Sequence, residues 1–141
     1  MKFTKKQLAN IKRWVDALRS GAYKQCRALL RGGFDGSQYC CLGVALDLLD
    51  PTAWLEDRVG ELRQYAWQDP NFPTLTYQYG WGVRRYGSIQ STAYKNFGLT
   101  EDHVKSLMRL NDSEVYNFNE IADYIEHEIC KDYDLNTLGE K

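Results

Sequence analysis

The chain has 141 residues, which is the length of one domain and enough to bury a hydrophobic core. Hydrophobic residues make up 43% of it and charged residues 26%, both ordinary for a globular protein. No apolar run approaches the roughly 20 residues of a membrane-spanning helix, and the first residues lack the hydrophobic region of a signal peptide. We therefore expect a cytoplasmic protein with no membrane partner.

The net charge of −1 hides an uneven distribution. Residues 1–35 carry nine basic and two acidic side chains, whereas residues 101–141 carry eleven acidic and four basic ones. Two interpretations follow. In the first, the two ends pack together and neutralise each other, or are simply solvated faces. In the second, the basic N-terminal face meets an anionic ligand.

The four cysteines predict neither a metal site nor a disulfide framework. They stand at Cys26, Cys40, Cys41 and Cys130. No pair has the two-residue spacing of a zinc knuckle or a redox motif. We expect reduced, mostly buried thiols, with no metal and no cofactor. A catalytic cysteine would need His103 or His127 beside it, and nothing in the sequence brings them together.

The first element is predicted to be a helix. Thr4 can cap it, with Gln7 three residues on as the capping-box partner. Apolar residues then recur on one helical face, at Leu8, Ile11, Trp14, Val15 and Leu18. Ser20-Gly21 ends the helix. This spacing places Trp14 in the core rather than against a ligand.

The next part predicts a small sheet followed by a helix. Residues 23–31 are expected to be extended and to pair with residues 37–40 across a glycine-containing loop at 31–36, with a second helix as the alternative. The most apolar run of the chain follows. It predicts a strand, a turn and a helix over residues 42–49, which Asp50-Pro51 ends.

Residues 54–67 are predicted to form another helix, because Leu55, Val59, Leu62 and Ala66 recur at three- or four-residue steps. Residues 74–87 alternate in polarity and predict a strand. Near Thr100, a capped helix is expected up to a turn at residues 111–113.

A last helix is predicted after Asn117, its cap, with Glu120 in the capping-box position. Its buried stripe is Phe118, Ile121, Ala122, Ile125 and Ile129. The acidic surface of this helix would repel DNA phosphates, so we expect no nucleic-acid partner. The predicted fold is α+β, with four or five helices around a small antiparallel sheet in one domain over residues 1–132 and a frayed tail at 133–141.

One segment has the composition of a nucleotide pocket. Its aromatic residues are Tyr77, Tyr79, Trp81 and Tyr86, and Arg84 and Arg85 lie beside them. Aromatic rings stack on nucleobases, and arginines pair with phosphates or stack on rings. The alternative is an aromatic hairpin that packs on the core and leaves its arginines in solvent.

Four stretches carry a family resemblance. They read WxxALRSGxY at residues 14–23, CCLGV at 40–44, LND at 110–112 and FxxIAxxIE at 118–126. In this order they resemble a widespread family of small phage and prophage proteins. The resemblance implies a phage-encoded accessory protein in the host bacterial cytoplasm and brings no known reaction with it. It implies that a shared site would involve Cys40, Cys41, Asn111 and Asp112.

Many small phage proteins of this kind block host defence, and some sequester nucleotide second messengers. Our leading hypothesis is therefore a counter-defence protein that binds a cyclic-nucleotide or ADP-ribose-type signal without cleaving it. In this hypothesis Arg27, Arg84 and Arg85 bind phosphates, the four aromatic residues stack, and Asn111 and Asp112 hydrogen-bond ribose or base edges.

Two other functions stay open at this point. One is an inhibitor that covers a basic surface of a host defence protein with its acidic C-terminal face. The other, ranked third, is a hydrolase that uses Cys40 or Cys41. The sequence also leaves open whether the chain forms a homo-oligomer.

Overall fold

Helices and short strands alternate along the chain in the computed structural model, which describes residues 2–59, 62–71, 76–77, 79–80, 83–84 and 86–141. The helices in this part of the chain are α1 (Lys5–Arg19), α2 (Cys41–Leu49), α3 (Tyr86–Phe97), α4 (Glu101–Asp112) and α5 (Phe118–Tyr124), the last continuing into a π-helical turn (Ile125–Ile129). The strands are β1 (Lys24–Gln25), β2 (Arg31–Gly33), β3 (Gln38–Tyr39), β4 (Trp54–Val59), β5 (Leu62–Gln68), β6 (Thr76–Tyr77), β7 (Tyr79–Gly80), β8 (Val83–Arg84), β9 (Tyr133–Asp134) and β10 (Gly139–Glu140). The fold is α+β, as predicted.

The main sheet has the strand order β1-β3-β2-β5-β4, and β6 also pairs with β5. β1 runs parallel to β3, and the other neighbours in this sheet are antiparallel. Separate two-stranded sheets join β7 to β8 and β9 to β10. Among the described helices, none has both the length and the apolar character needed to cross a membrane.

Helix α1 follows its sequence prediction. Thr4 and Gln7 form the expected capping box. The predicted apolar stripe is buried, and the Trp14 side chain is fully enclosed. Its indole N–H donates to the backbone carbonyl of Cys41 at 2.8 Å, so this tryptophan joins α1 to the start of α2. The prediction that Trp14 belongs to the core is confirmed.

Helix α2 begins where the sequence contains CCLGV. The Cys40 thiol caps it by accepting from the backbone N–H of Gly43. The Cys40 N–H itself donates to the carbonyl of Leu30 at 3.0 Å. A Cβ at Gly43 would overlap that same carbonyl oxygen. Glycine is therefore needed here because the helix backbone packs directly on the chain that leads into β2.

The strands before α2 match the prediction in part, because residues 24–25 and 31–33 pair with β3 but residues 26–30 are not in a strand, and β1 pairs with β3 in parallel and not as a hairpin. Gln25 pairs with Tyr39 and Arg31 pairs with Tyr39, so β3 lies between β1 and β2. The loop predicted over residues 31–36 is shorter than expected, since residues 31–33 form β2. The prediction of one strand over 74–87 falls partly outside the described residues. The described parts are the short strands β6, β7 and β8, and α3 begins at Tyr86.

The helix predicted over residues 54–67 is wrong. These residues form an antiparallel hairpin, β4–β5, in which Leu55 lies opposite Ala66 and Val59 opposite Leu62. The four apolar residues that suggested a helix lie on two strands, two on β4 and two on β5, and face each other in pairs. Leu55 is 47% exposed, which a core-facing helical stripe would not allow. In the sequence, Gly60 is the first of the two residues between Val59 and Leu62, and glycine at that position favours a hairpin with a two-residue loop.

The C-terminal helices match their predicted caps and stripe. Thr100 caps α4, Asn117 and Glu120 form the capping box of α5, and the predicted stripe of α5 and the π-helical turn is buried. The predicted turn at 111–113 needs correction, because α4 continues through Asp112 and Ser113 is its C-cap. Helix α3 has no counterpart among the predictions.

The end of the chain also differs from the expected frayed tail. Tyr133 and Leu135 are buried, and β9 pairs with β10. The Tyr133 hydroxyl accepts from the backbone N–H of Phe3 at 3.2 Å, and the two rings meet edge to face. The contact of Tyr133 with Phe3 and the burial of Leu135 hold this part of the chain on the core.

The two oppositely charged ends meet. Arg19, in the last turn of α1, pairs with Asp123 at 2.6 Å and with Glu126 at 2.7 Å. Lys2 and Glu140 form a longer, exposed pair at 3.9 Å. Of the two interpretations of the charge asymmetry, these contacts support mutual neutralisation of the ends.

Candidate functional site

The structure describes only part of the predicted ligand site. The residues whose side chains lie outside its description are Tyr77, Tyr79, Trp81, Arg84, Arg85 and Tyr86. Their predicted contacts with a ligand therefore stay predictions. The remaining three predicted site residues, Arg27, Asn111 and Asp112, are described, and the structure brings them together beside the loop between β1 and β2.

Asn111 is a buried link between that loop and α2. Its side-chain oxygen accepts from the backbone N–H of Cys41 at 3.0 Å and from the Gln25 amide at 3.2 Å. Its amide nitrogen donates to the carbonyl of Cys26 at 2.9 Å. The side chain is 1% exposed, so its polar atoms hold three parts of the chain together. A ligand-binding role for Asn111 stays untested.

Arg27, which belongs to this loop, and Asp112 of α4 join the loop to the end of α4. Asp112 accepts from the backbone N–H of Ala28 at 2.9 Å, and Ala28 has a left-handed backbone with φ of 65°. The exposed Arg27 side chain donates to the carbonyl of Ser113 at 3.0 Å. These contacts stabilise a backbone conformation that is uncommon for alanine. The phosphate-binding role of Arg27 stays a prediction.

The cysteines are unsuited to nucleophilic chemistry. All four are free and buried. Burial raises the pKa of Cys40 to about 12 and raises that of Cys41 well above its ordinary value. The thiolate is the nucleophilic form of cysteine, and both thiols are protonated at neutral pH. His103 is engaged in its own helix cap, where its Nδ1 accepts from the Thr100 N–H at 3.2 Å.

A second group of residues, which the sequence analysis did not single out, has the chemistry of a ligand site. We call it the Arg31 cluster: Arg31 on β2, Tyr39 on β3, Trp54 on β4 and Tyr65 on β5. The Arg31 guanidinium carbon lies 4.4 Å from the ring centre of Tyr65, 5.2 Å from that of Tyr39 and 5.5 Å from that of Trp54. Three aromatic rings therefore surround one cation.

Strand register explains how the cluster forms. Arg31 lies directly opposite Tyr39 in the β2–β3 pair. The pairing of Gly32 with Gln64 puts the next residues, Arg31 and Tyr65, side by side on one face of the sheet. Trp54 reaches the same face from β4, and its ring meets that of Tyr65 edge to face. The sheet thus aligns four side chains from four strands.

The loop between β2 and β3 orients the arginine. The Arg31 Nε–H donates to the carbonyl of Gly36 at 2.7 Å. Gly36 has a φ of 72°, and a Cβ there would collide with the Tyr65 ring. Among the side chains that the structure describes, no carboxylate pairs with Arg31. The half-buried guanidinium thus lies against aromatic rings, with no described carboxylate to pair with it.

A carboxylate also contacts this aromatic group. Asp47 of α2 accepts from the Tyr23 hydroxyl at 2.6 Å and from the Trp54 indole N–H at 2.9 Å. Burial and this bond to Asp47 raise the pKa of Tyr23. The pKa of Tyr39 is also raised, mainly by burial, with Asp47 raising it further and Arg31 lowering it. Both charges therefore act on Tyr39.

Sequence reasoning missed this group for a specific reason. The spacing over residues 54–67 predicts a helix, in which Trp54 and Tyr65 would not face Arg31. Reading residues 54–67 as a hairpin around Gly60 would have aligned Trp54 with Trp67 and put Tyr65 on their face. The register of β2 against β5 joins residues far apart in the chain, and no local pattern indicates it.

The geometry can be compared with known proteins. A family model described as a domain of unknown function (DUF8296) matches residues 6–129. The chain belongs to this family. The DUF8296 match begins in α1 and ends with the π-helical turn, so it includes the Arg31 cluster, Asp47 and Asn111, and stops before β9. No curated protein and no solved structure matches the chain.

Proposed function

We propose that this protein binds a nucleotide-derived signal and holds it without cleaving it, as a phage-encoded counter-defence protein in the host bacterial cytoplasm. The observation that carries the proposal is the Arg31 cluster, in which a guanidinium lies among three aromatic rings and pairs with no carboxylate of the described side chains. The phage context comes from the motif resemblance described above.

The chemistry of the cluster supports an anionic aromatic ligand. A guanidinium binds phosphate oxygens through two parallel hydrogen bonds. Stacking of a base on an aromatic side chain contributes about 1–3 kcal/mol. The bond from Arg31 to the carbonyl of Gly36 uses only Nε, which leaves the two terminal nitrogens for a phosphate. The cluster is thus preorganised for binding a phosphate beside a ring.

The first residue of the predicted aromatic segment lies in the main sheet, beside a strand of the Arg31 cluster. Tyr77 belongs to β6, which pairs with β5, and it lies opposite Trp67. Tyr65, on the same β5 strand, belongs to the Arg31 cluster. We propose that the side chains of this segment, together with Arg84 and Arg85, extend the ligand site from the edge that β6 forms.

Holding rather than cleaving is supported by the state of the candidate nucleophiles. The thiols of Cys40 and Cys41 are buried and protonated, and His103 is engaged in a helix cap. These contacts weigh against the cysteine hydrolase. The acidic-surface inhibitor is also less favoured, because Arg19 already neutralises two of the carboxylates on that face, those of Asp123 and Glu126.

The proposal is tested by thermal unfolding with a panel of linear nucleotides, cyclic nucleotides and ADP-ribose derivatives. A ligand at ten to a hundred times its Kd stabilises the folded state by about 1.4–2.7 kcal/mol. We expect at least one nucleotide to raise the melting temperature of the natural protein and to have little effect on Arg31→Gln. Each variant is compared with its own ligand-free melting temperature.

The matched control is Arg109→Gln, which removes an exposed arginine of α4 whose guanidinium donates to the Ser106 hydroxyl. This variant should keep the full ligand shift. Failure of every nucleotide in the panel to stabilise the natural protein would contradict the proposal. Equal ligand shifts in Arg31→Gln and Arg109→Gln would show that the Arg31 cluster is not the site.

A further inference from the structure

Asp47 has acceptor capacity that the fold does not use. Its carboxylate lies near the end of α2 and is half-buried. One oxygen accepts from the Tyr23 hydroxyl and the other from the Trp54 indole. An ionised carboxylate offers about four lone-pair positions, so each oxygen can accept one more hydrogen bond. Among the described side chains, no lysine or arginine pairs with Asp47.

Asp47 and Arg31 contact the same aromatic side chain, Trp54. The Trp54 indole donates to Asp47 through its N–H, and its ring lies 5.5 Å from the Arg31 guanidinium carbon. The Tyr39 ring lies 5.2 Å from that carbon and meets the ring of Tyr23, whose hydroxyl donates to Asp47. A carboxylate and a guanidinium therefore both contact one group of aromatic side chains.

We propose that Asp47 binds the free ribose 2′,3′-diol of the ligand while Arg31 binds its phosphate. This inference rests on the proposed function and makes it more specific. It assigns the site to nucleoside phosphates that carry an unesterified cis-diol, the ADP-ribose type, in preference to 3′,5′-cyclic nucleotides.

The assignment follows from donor and acceptor matching. A cis-diol presents two hydroxyl donors side by side, which is the arrangement that the two oxygens of a carboxylate accept, and acidic residues bind ribose hydroxyls in this way. A 3′,5′-cyclic nucleotide has lost one of the two donors to the phosphate ester. Its phosphate is also fixed close to the sugar, whereas the phosphates of a 5′-diphosphate extend away from the ribose and leave the diol free.

The test compares ligands that differ only in the diol. Isothermal titration calorimetry is carried out with ADP and UDP, with the 2′,3′-dideoxy counterpart of each, and with 3′,5′-cyclic AMP and pyrophosphate. Hydrogen bonds to a charged group contribute about 1.5–3 kcal/mol, which corresponds to roughly a 10- to 100-fold change in Kd. We expect a ribonucleotide to bind at least about tenfold more tightly than its dideoxy counterpart and than cyclic AMP.

Asp47→Asn should remove the difference between the ribonucleotide and the dideoxynucleotide, because a neutral amide accepts from fewer donors. Asp16→Asn, at an exposed carboxylate on α1, is the control and should preserve it. If Asp47→Asn does not fold, the ligand comparison on the natural protein decides the question alone.

The outcomes separate the two proposals. Equal Kd values for the ribonucleotides and their dideoxy counterparts would overturn the diol assignment and leave nucleotide binding intact. Tighter binding of cyclic AMP than of ADP would also overturn the diol assignment and leave nucleotide binding intact. Absence of binding by every nucleotide would overturn the proposed function and the diol assignment together.

Discussion

The side-chain oxygen of Asn111, near the end of α4, accepts a hydrogen bond at 3.0 Å from the backbone N–H of Cys41, the first residue of α2. The two residues are 70 positions apart in the chain. The same amide donates to the carbonyl of Cys26. Two of the motifs that carry the family resemblance, CCLGV and LND, are thus joined by a buried side chain, which gives both motifs a role in the fold.

Replacing Asn111 with alanine should destabilise the protein strongly. The change leaves the buried N–H of Cys41 and the carbonyl of Cys26 without their partner, and each unsatisfied buried group costs about 1–3 kcal/mol. We expect the free energy of unfolding to fall by about 2–4 kcal/mol in urea titrations. Asn119→Ala, at an exposed position of α5, is the control and should change it by less than about 0.5 kcal/mol.

Gly43→Ala tests the close contact between α2 and the chain before β2. In a helix interior, alanine is intrinsically better than glycine by about 0.5–1 kcal/mol. Here its Cβ would overlap the Leu30 carbonyl oxygen, and overpacking typically costs about 1–3 kcal/mol. We expect the overlap to dominate, with a net loss in the free energy of unfolding. Gly139→Ala, where a Cβ meets only ordinary contacts, should be nearly neutral. A stabilised Gly43→Ala protein would show that α2 is not packed this closely.

The buried thiols predict a loss of stability in alkali. Burial raises the pKa of both Cys40 and Cys130 to about 12 in the folded protein, whereas an unfolded cysteine ionises near 8.5. Below about pH 8.5 the thiols keep their protons in both the folded and the unfolded protein, so they cause no loss of stability there. Above that pH the unfolded chain loses thiol protons that the folded protein keeps, so stability falls towards about pH 12.

The measurement is urea unfolding at several pH values between about 7.5 and 10, a window that spans the ionisation of an unfolded cysteine. Each thiol contributes a slope of up to about 1.4 kcal/mol per pH unit. Cys130→Ala should reduce the slope of the unfolding free energy against pH by the contribution of one thiol. A stability that stays flat over this window would contradict the burial of the thiols.

Local sequence signals were sufficient for the capped helices. Thr4 with Gln7 and Asn117 with Glu120 mark the starts of α1 and α5, and the apolar stripes that follow are buried as predicted. Such signals depend on residues within one or two turns of each other. The burial of Trp14 and the α+β class could be predicted for the same reason.

Features that depend on distant pairing were not predictable. In the β4–β5 hairpin a false helical spacing competes with the single hairpin signal of Gly60, and the pairing of Trp54 with Trp67 shows that the hairpin is correct. The C-terminal segment is held by Tyr133 against Phe3, 130 positions away in sequence. The Arg31 cluster needs four strands in register, so the sequence could indicate an arginine with aromatic residues but could not identify which ones meet.

The most direct test of the account is native mass spectrometry of the protein after incubation with the nucleotide that gives the largest thermal shift, followed by denaturation and analysis of the released ligand. We predict a stable complex that returns the nucleotide with its mass unchanged, and no complex with Arg31→Gln. A nucleotide returned cleaved would make the protein an enzyme and contradict the holding role. Absence of any complex would contradict nucleotide binding itself.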